Sequence, residues 1–171
     1  MVERSASTRR LPRLSRPRMA AGYGIPTEPP DPARITWEDV TRKLEASRNY
    51  WICTTRPDGR PHSAPVWGVW VSDTFVFGTD PRSQKWRNLR RNPAVTVHLE
   101  SGDDVVILEG VIEEVTDEDI TRGADDAYDA KYGLRLLAET GDAPLLALQP
   151  DVAHTWLETD FLATAARWDF D

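Results

Sequence analysis

Cysteine is almost absent from this chain of 171 residues, because Cys53 is the only one. A single cysteine excludes an internal disulfide and any zinc cluster built from cysteines. Its place in the run Trp51-Ile52-Cys53-Thr54 predicts a buried, unreactive thiol. No run of about 18 apolar residues occurs, so the sequence contains no candidate membrane-spanning helix. We therefore expect a cytoplasmic protein with no membrane partner.

The sequence also lacks the motifs that identify many enzymes. Its three histidines, His62, His98 and His154, are far apart, and no group of His, Asp and Glu has the spacing of metal ligands. No serine lies in a nucleophile elbow, and Gly-rich phosphate loops are absent. We expect His98 and His154 to be structural, whereas His62 lies beside a turn and could flank a ligand. Any chemistry would come from a bound organic cofactor.

Positive charge is concentrated at the N-terminus. The formal net charge is -7, which argues against a general nucleic-acid-binding protein because such proteins need a basic surface. Residues 1–18 nevertheless contain six arginines and one acid, Glu3. They form either a basic tail for an acidic partner or a segment before a true start at Met19, which we favour. We predict an N-terminal arm over residues 1–32, disordered in part, followed by one domain over residues 33–171.

Hydrophobic patterning predicts a mainly β protein of the α+β class. Thr36 is a predicted N-cap with acidic residues after it, so a helix should run from there to about residue 48. Strands are predicted at residues 50–55, 61–71, 74–79, 94–99, 105–115, 152–157 and 163–170, and further helices at 82–91 and 117–139. Six or seven mostly antiparallel strands with two or three helices correspond to a small β-barrel with helices at its ends.

A basic helix follows the strand that ends at Thr79, in an otherwise acidic domain. Thr79, Ser83 and Lys85 bring two hydroxyls and an ammonium together, and such groups bind phosphate. The more distant Arg87, Arg90 and Arg91 are expected to form a solvated surface. From the residues alone, an anion site and an ordinary basic surface are about equally supported.

The central part of the chain resembles the pyridoxamine 5'-phosphate oxidase-like split-barrel family of flavin and deazaflavin proteins. The resemblance is carried, in order, by Tyr50-Trp51-Ile52-Cys53-Thr54, Pro57-Asp58-Gly59-Arg60-Pro61, Ala64-Pro65-Val66-Trp67, residues 75–79 and Ser83-x-Lys85-x-x-Asn88-Leu89-x-x-Asn92-Pro93. Tyr128-x-x-Lys131-Tyr132-Gly133 and Arg167-Trp168-x-Phe170 are similar to the actinobacterial branch. The resemblance covers about residues 20–170, and the ordered series is more specific than any one motif.

The resemblance implies a six-stranded split barrel that forms a homodimer, with a cofactor in each groove between the subunits. By position, Thr79, Ser83 and Lys85 would hold the cofactor phosphate, and Gln84 and Asn88 are also expected to bind the cofactor. Pro65, Val66 and Trp67 would lie along the cofactor ring, mainly through backbone contacts. His62, Arg167 and Trp168 are candidates to line the pocket.

Two departures from the family pattern affect the expected substrate. Family members that oxidise pyridoxamine phosphate have arginines where this chain has Gln84 and Ala64, and no clear equivalent of their C-terminal substrate-binding arginines is evident. We therefore do not expect vitamin B6 oxidation. FMN and a deazaflavin of the F-420 type fit comparably well as cofactors.

Three functional hypotheses follow. The leading one is an oxidoreductase, dependent on FMN or F-420, that transfers a hydride to or from an unidentified small molecule without a protein nucleophile. The alternative is a non-catalytic module that stores, senses or delivers a flavin or haem in the same groove, with His62 or His98 reaching a haem. The third is a structural dimer whose groove stays empty.

Overall fold

A computed structural model describes residues 11–141 and 143–170. Within these ranges the chain forms nine strands and five α-helices. The strands are β1 (Arg13–Ser15), β2 (Tyr50–Thr55), β3 (Pro61–Val66), β4 (Val69–Val71), β5 (Thr74–Phe77), β6 (Ala94–His98), β7 (Asp104–Glu114), β8 (Leu146–Leu157) and β9 (Ala166–Asp169). The helices are α1 (Trp37–Ala46), α2 (Gln84–Leu89), α3 (Glu118–Tyr132), α4 (Leu136–Thr140) and α5 (Phe161–Thr164). The mainly β class is confirmed, with more strands than the six or seven predicted.

All the described strands belong to one antiparallel sheet. Its order is β1-β9-β8-β7-β6-β2-β3, and β5 pairs with both β4 and β8. Residues 146–148 of β8 pair with β5 and residues 152–155 pair with β9, while β7 follows the other edge of β8. The β7–β8 register shifts at Glu109/Gly110, where a Cβ on Gly110 would lie 2.9 Å from the Gln149 carbonyl oxygen. This bulge therefore requires glycine and lets the sheet bend into a barrel.

The hydrophobic core lies inside this bent sheet. Its largest fully buried side chains include Tyr50, Phe75, Phe77, Leu44, Ile52, Leu108 and Leu148. A second apolar cluster packs α3 and α4 against β4 and β5 through Ala124, Tyr128, Leu136, Val69 and Val76. The two clusters pack beside the β3–β4 connection, which contains Trp67, and the β5–α2 connection, which contains Thr79 and Ser83.

Two predicted elements are interrupted. The strand predicted at residues 61–71 is divided at Trp67-Gly68 into β3 and β4, because Gly68 packs so close to Phe75 that a Cβ would lie 2.5 Å from the ring. The helix predicted at residues 117–139 ends at Tyr132, because Gly133 adopts a left-handed conformation with φ 72° and caps α3. Glycine is the residue that such a C-cap favours.

The described part of the N-terminal arm contacts the domain. Residues 1–10 lie outside the described residues, but β1 pairs with β9. The Arg16 guanidinium donates to the carbonyl oxygens of Glu28 at 2.8 Å, Leu162 at 2.9 Å and Ala165 at 3.1 Å. The open edge of β9 gives residues 13–15 the backbone partners that the sequence pattern did not reveal. The start at Met19 stays a prediction.

None of the helices in residues 11–141 and 143–170 is long and apolar enough to cross a membrane. The longest, α3, has 15 residues and many acidic side chains.

Candidate functional site

The predicted hydroxyl pair forms where β5 leads into α2. The Thr79 hydroxyl lies 3.1 Å from the Ser83 hydroxyl. Ser83 is also the N-cap of α2, because its side-chain oxygen accepts a hydrogen bond from the Trp86 amide at 3.2 Å. The cap fixes Ser83 in place, and Asp80 shapes the connecting loop by accepting from the Arg82 amide at 2.7 Å. The structure therefore brings Thr79 and Ser83 together as predicted.

Lys85 lies in the first turn of α2, close in sequence to this pair. It is half-buried, and burial lowers the pKa of its ammonium. Among the described residues Lys85 has no ion pair and no hydrogen-bond partner. An ammonium that has lost water without gaining a partner is in an unfavourable state, which an anion would relieve.

A histidine and a further cation, Arg56, belong to the same region. Burial lowers the pKa of His62, and the positive charges of Arg56 and Lys85 lower it further. His62 is on β3, and Arg56 follows β2, at the same end of this hairpin. Two cations, Arg56 and Lys85, therefore act on an imidazole that can gain a proton when an anion binds, and this arrangement favours an anionic ligand. The predicted role of His62 beside a ligand is compatible with this geometry, and Arg56 was not predicted.

The side chains of Asn88 and Gln84 are already used inside the protein. Asn88 is 0% exposed and donates to the Thr54 hydroxyl at 2.8 Å, while Gln84 donates to the Asn88 side-chain oxygen at 2.8 Å. The Thr54 hydroxyl in turn lies 3.4 Å from Nδ1 of His62. These bonds tie α2 to the β2–β3 hairpin, so Asn88 positions the cationic side chains from beneath and cannot itself touch a ligand.

The segment predicted to lie along a cofactor ring alternates in orientation. Val66 is buried, whereas Pro65 and Trp67 are exposed, Trp67 by 40%. The Trp67 indole stacks on the Tyr132 ring with centroids 4.7 Å apart and planes 9° apart, and the Arg48 guanidinium lies 5.2 Å from the Trp67 ring centroid. One face of the indole is therefore covered by protein.

Arg167 and Trp168 do not join the other site residues within this chain. Trp168 is 3% exposed, packs on Trp37 with centroids 5.5 Å apart and donates from Nε1 to the Thr155 hydroxyl at 2.9 Å. It belongs to the core and is not free to line a pocket. Arg167 points to the opposite face of β9 and pairs with Asp169 at 2.7 Å. β8, β7, β6 and β2 separate β9 from β3.

The expectation of a buried Cys53 is wrong. In β2, Tyr50, Ile52 and Thr54 are buried, while Trp51, Cys53 and Thr55 alternate onto the partly exposed face, as the two-residue period of a strand requires. The Cys53 sulfur lies 3.3 Å from the Ser63 hydroxyl.

The two histidines predicted to be structural share that outer face. The His98 ring is parallel to Trp51 within 5°, at 6.4 Å, and burial lowers the pKa of His154. No group of three or more His, Cys, Asp or Glu suited to a metal ion occurs within residues 11–141 and 143–170.

A cavity of about 580 Å³ opens beside the hydroxyl pair. Its walls are Gly78, Thr79, Asp80, Pro81, Arg82, Tyr128, Leu136, Glu139 and Thr140. The carboxylates of Asp80 and Glu139 make this cavity less suited to a second anion than the region of Lys85.

The chain matches the model of a known protein family. A family model described as pyridoxamine 5'-phosphate oxidase matches residues 36–157, most of the domain, and the chain belongs to this family. A pyridoxine/pyridoxamine 5'-phosphate oxidase from Acidothermus cellulolyticus is 39% identical over 71 residues, 40% of this chain. That alignment spans only 31% of the relative's own length.

Solved structures share the fold. The conserved hypothetical protein Rv2991 from Mycobacterium tuberculosis has a TM-score of 0.64 at 23% identity, covering 72% of this chain and 86% of that chain. An F420 reductase has a TM-score of 0.52 at 22% identity, covering 64% and 91%. A haem-binding protein from Mycobacterium smegmatis has a TM-score of 0.55 at 19% identity, covering 68% and 52%. At these identities the likeness establishes the split-barrel fold alone.

Proposed function

We propose that this protein is an oxidoreductase that binds the phosphate of FMN or of an F-420 deazaflavin with Thr79, Ser83 and Lys85, and that transfers a hydride to or from a small molecule. The observation that carries the proposal is the half-buried Lys85 ammonium, which has no partner in the described chain. Its charge and that of Arg56 both act on His62. A bound phosphate would accept from this ammonium and from one or both hydroxyls.

The rest of the site would position the cofactor and keep water away from it. The bound ring system would supply the hydride chemistry. The β3 backbone at Pro65 and Val66 would lie along the ring, with Trp67 held aside against Tyr132. Thr54 and Asn88 would hold α2 against the β2–β3 hairpin, so that Lys85 keeps its distance from the phosphate. No protein nucleophile is required.

We infer that the substrate is not pyridoxamine 5'-phosphate. Ala64 lies on the same face of β3 as His62 and Val66, so the strand has an imidazole two residues away from the position of the family arginine and no cation at that position. Arg167 is paired with Asp169. In an oxidase assay with pyridoxamine 5'-phosphate and added FMN, we expect no turnover above a control without enzyme.

The proposal includes a homodimer with one cofactor in each groove between subunits. β3 is paired only with β2 among the described strands, and its neighbours Trp51 and Trp67 expose apolar surface. Two subunits meeting along this side would cover that surface and exclude water from the ring. Light scattering of the eluted protein measures the molar mass, and a monomer at micromolar concentration would contradict this part.

The decisive experiment is a binding titration with two candidate cofactors. Freshly purified protein is first examined by absorbance and then titrated with FMN and with oxidised and reduced F-420. We expect saturable binding of at least one, weakened in Lys85→Ala and unchanged in Arg91→Ala, whose exposed side chain lies outside the cluster. If the protein binds neither cofactor, the proposal is wrong.

One observation favours a second function, a haem-binding module. Nδ1 of His98 lies 2.8 Å from the Leu99 carbonyl oxygen, and because a carbonyl can only accept, Nδ1 must donate. In the neutral imidazole with this tautomer, Nε2 has the lone pair with which histidines ligate iron. Addition of haemin followed by absorbance tests this function. A Soret band that His98→Ala shifts would support it, whereas an unshifted spectrum would exclude His98 as ligand.

A further inference from the structure

The last turn of α3 contacts the connections on both sides of the first hairpin. Lys131 and Tyr132 are at the end of this helix, and Gly133 caps it. The α1–β2 connection contains Ser47 and Arg48, and the β3–β4 connection contains Trp67 and Gly68. Neither Lys131 nor Tyr132 has a role in the proposed cofactor contacts, although both are in the motif Tyr128-x-x-Lys131-Tyr132-Gly133.

The Tyr132 hydroxyl binds both connections at once. It accepts a hydrogen bond from the Gly68 amide at 3.1 Å. Its own hydrogen is within reach of two carbonyl oxygens, that of Arg48 at 2.6 Å and that of Gly68 at 2.9 Å. One phenol therefore fixes the peptide at Gly68 on its N–H side and holds Arg48 beside it.

The Lys131 ammonium makes a second set of bonds to the same two connections. It donates to the Ser47 carbonyl oxygen at 2.9 Å, to the Tyr50 hydroxyl at 3.0 Å and towards the Gly68 carbonyl oxygen at 3.4 Å. Tyr50 passes the bond on by donating to the Leu44 carbonyl oxygen. A cation at this place also suits the C-terminal end of α1, where carbonyl groups lack helical partners.

Packing also restricts the β3–β4 connection. Gly68 lies against Phe75 so closely that a Cβ would lie 2.5 Å from a ring atom. Trp67 is stacked on Tyr132, and the Arg48 guanidinium lies 5.4 Å from the Tyr132 ring centroid. The connection is therefore held by hydrogen bonds from α3, by the stacked indole and by the glycine contact.

We propose that Lys131 and Tyr132 are positioning residues that set the cofactor-facing backbone of Pro65, Val66 and Trp67 at the height and angle needed to bind the ring. The proposal rests on the proposed function, because it assumes that a flavin or deazaflavin ring lies along β3. It separates the site into two parts: Lys85 and the hydroxyl pair determine phosphate affinity, whereas the Lys131–Tyr132 pair determines ring affinity.

The half-buried charge of Lys131 is stabilised less by water than an exposed charge would be, and this cost in free energy supports a positioning role. Apolar packing in place of both the ammonium and its acceptors would avoid the loss of hydration and would often stabilise a fold equally well. What an apolar chain cannot do is orient three acceptors in different elements at once. Charged groups retained in such positions specify one geometry, and here the geometry is that of the peptide next to Trp67.

The test uses Tyr132→Phe and Lys131→Met, with Tyr23→Phe and Lys43→Met as matched controls on other parts of the surface. Three quantities are measured: the hydrogen-exchange rate of the Gly68 amide in the protein without cofactor, the affinity and visible absorption band of whichever of FMN or F-420 the wild type binds, and the affinity for inorganic phosphate. In Tyr132→Phe we expect Gly68 exchange to accelerate about tenfold. We also expect cofactor affinity to fall about tenfold with a shifted band, and phosphate affinity to stay within about twofold.

The outcomes separate this inference from the proposed function. If the wild type binds neither cofactor, the proposed function fails and the inference fails with it. If the wild type binds one but Tyr132→Phe and Lys131→Met keep its affinity and absorption band, the pair is structural only and the inference alone is wrong. Equal losses of phosphate and cofactor affinity would also overturn it, because the two parts of the site would then not be separate.

Discussion

Lys85 and Lys131 are two of the three lysines in the chain. They are buried to a similar degree but differ in whether the protein supplies hydrogen-bond acceptors to the ammonium. Both are half-buried, and burial lowers the pKa of both, to about 8 for Lys131. Lys131 has three acceptors within the chain. Lys85 has none among the described residues. The fold thus pairs one half-buried ammonium and leaves the other without a partner among the described residues, as the proposed phosphate site requires.

Arg135 extends the comparison to an exposed cation. It pairs with Asp125 at 3.1 Å, Asp126 at 2.6 Å and Asp129 at 3.6 Å, so this acidic chain can supply carboxylates to a cation. Among the described residues, no carboxylate pairs with Lys85, although the chain supplies three to Arg135. An acid there would compete with an anionic ligand.

The largest expected effect is loss of cofactor affinity in Lys85→Ala. Removal of a charge-assisted hydrogen bond to phosphate should reduce the binding free energy by roughly 1.5–3 kcal/mol. The melting temperature should stay the same or rise, because no internal bond is lost. Titration calorimetry and thermal unfolding measure the two quantities. Unchanged affinity would remove Lys85 from the site.

Lys131→Met should show the opposite pattern. It leaves the Ser47 carbonyl and the Tyr50 hydroxyl without a donor, and the loss of such bonds lowers the free energy of unfolding by about 1–2 kcal/mol. Affinity for inorganic phosphate should not change. Chemical denaturation of the variant beside Lys43→Met measures the difference. Because Lys43→Met itself removes an ion pair with Asp104, the wild type is measured as well, and equal stability of Lys131→Met and the wild type would show that the Lys131 bonds are not important in solution.

The surroundings of Lys85 could be predicted from the sequence, because the residues of this candidate site are close together in the chain. Thr79, Ser83 and Lys85 lie within seven positions of each other, at a strand end and a helix start, and the structure brings Thr79 and Ser83 into contact. Their binding role stays a prediction. The antiparallel class also follows from periodicity and turn residues, which act over short distances.

The surroundings of Lys131 could not be predicted, because they depend on contacts between residues that are far apart in the sequence. Lys131 lies 84 positions from Ser47 and 63 positions from Gly68, and no local pattern indicates such pairs. The same reason explains Trp168, which the family pattern placed at a pocket and the sheet order places in the core. Cys53 was misassigned because an apolar run does not reveal which alternate residues face outwards.

A smaller effect should appear in the pH dependence of cofactor binding. The pKa of His62 is lowered by burial and by its cationic neighbours, so in the free protein the imidazole is largely neutral near pH 7. A bound phosphate favours the imidazolium, so affinity should increase severalfold as the pH falls through the range in which the imidazole takes up its proton. The phosphate itself takes up a proton there and opposes the trend. His62→Gln provides the control, and identical pH profiles for the two proteins would contradict a role for His62.

The smallest effect is on the pH dependence of stability, through Lys131. Its pKa is lowered from 10.5 to about 8 in the folded protein, mainly by burial, so between these values the unfolded chain binds more protons. The free energy of unfolding should therefore rise as the pH increases from about 8 towards 10. Glu45 opposes the shift, and exposure of part of the side chain weakens it. Above about 10 the trend reverses, because burial raises the pKa of Tyr50 and of Tyr132 in the folded protein. The tyrosines of the unfolded chain then ionise first, so the folded protein binds more protons and the free energy of unfolding falls as the pH increases. Denaturation of wild type and Lys131→Met at several pH values isolates the lysine. The difference in free energy of unfolding between the two proteins should widen from about pH 8 towards 10. A constant difference would show that Lys131 titrates like an exposed lysine and that burial does not lower its pKa.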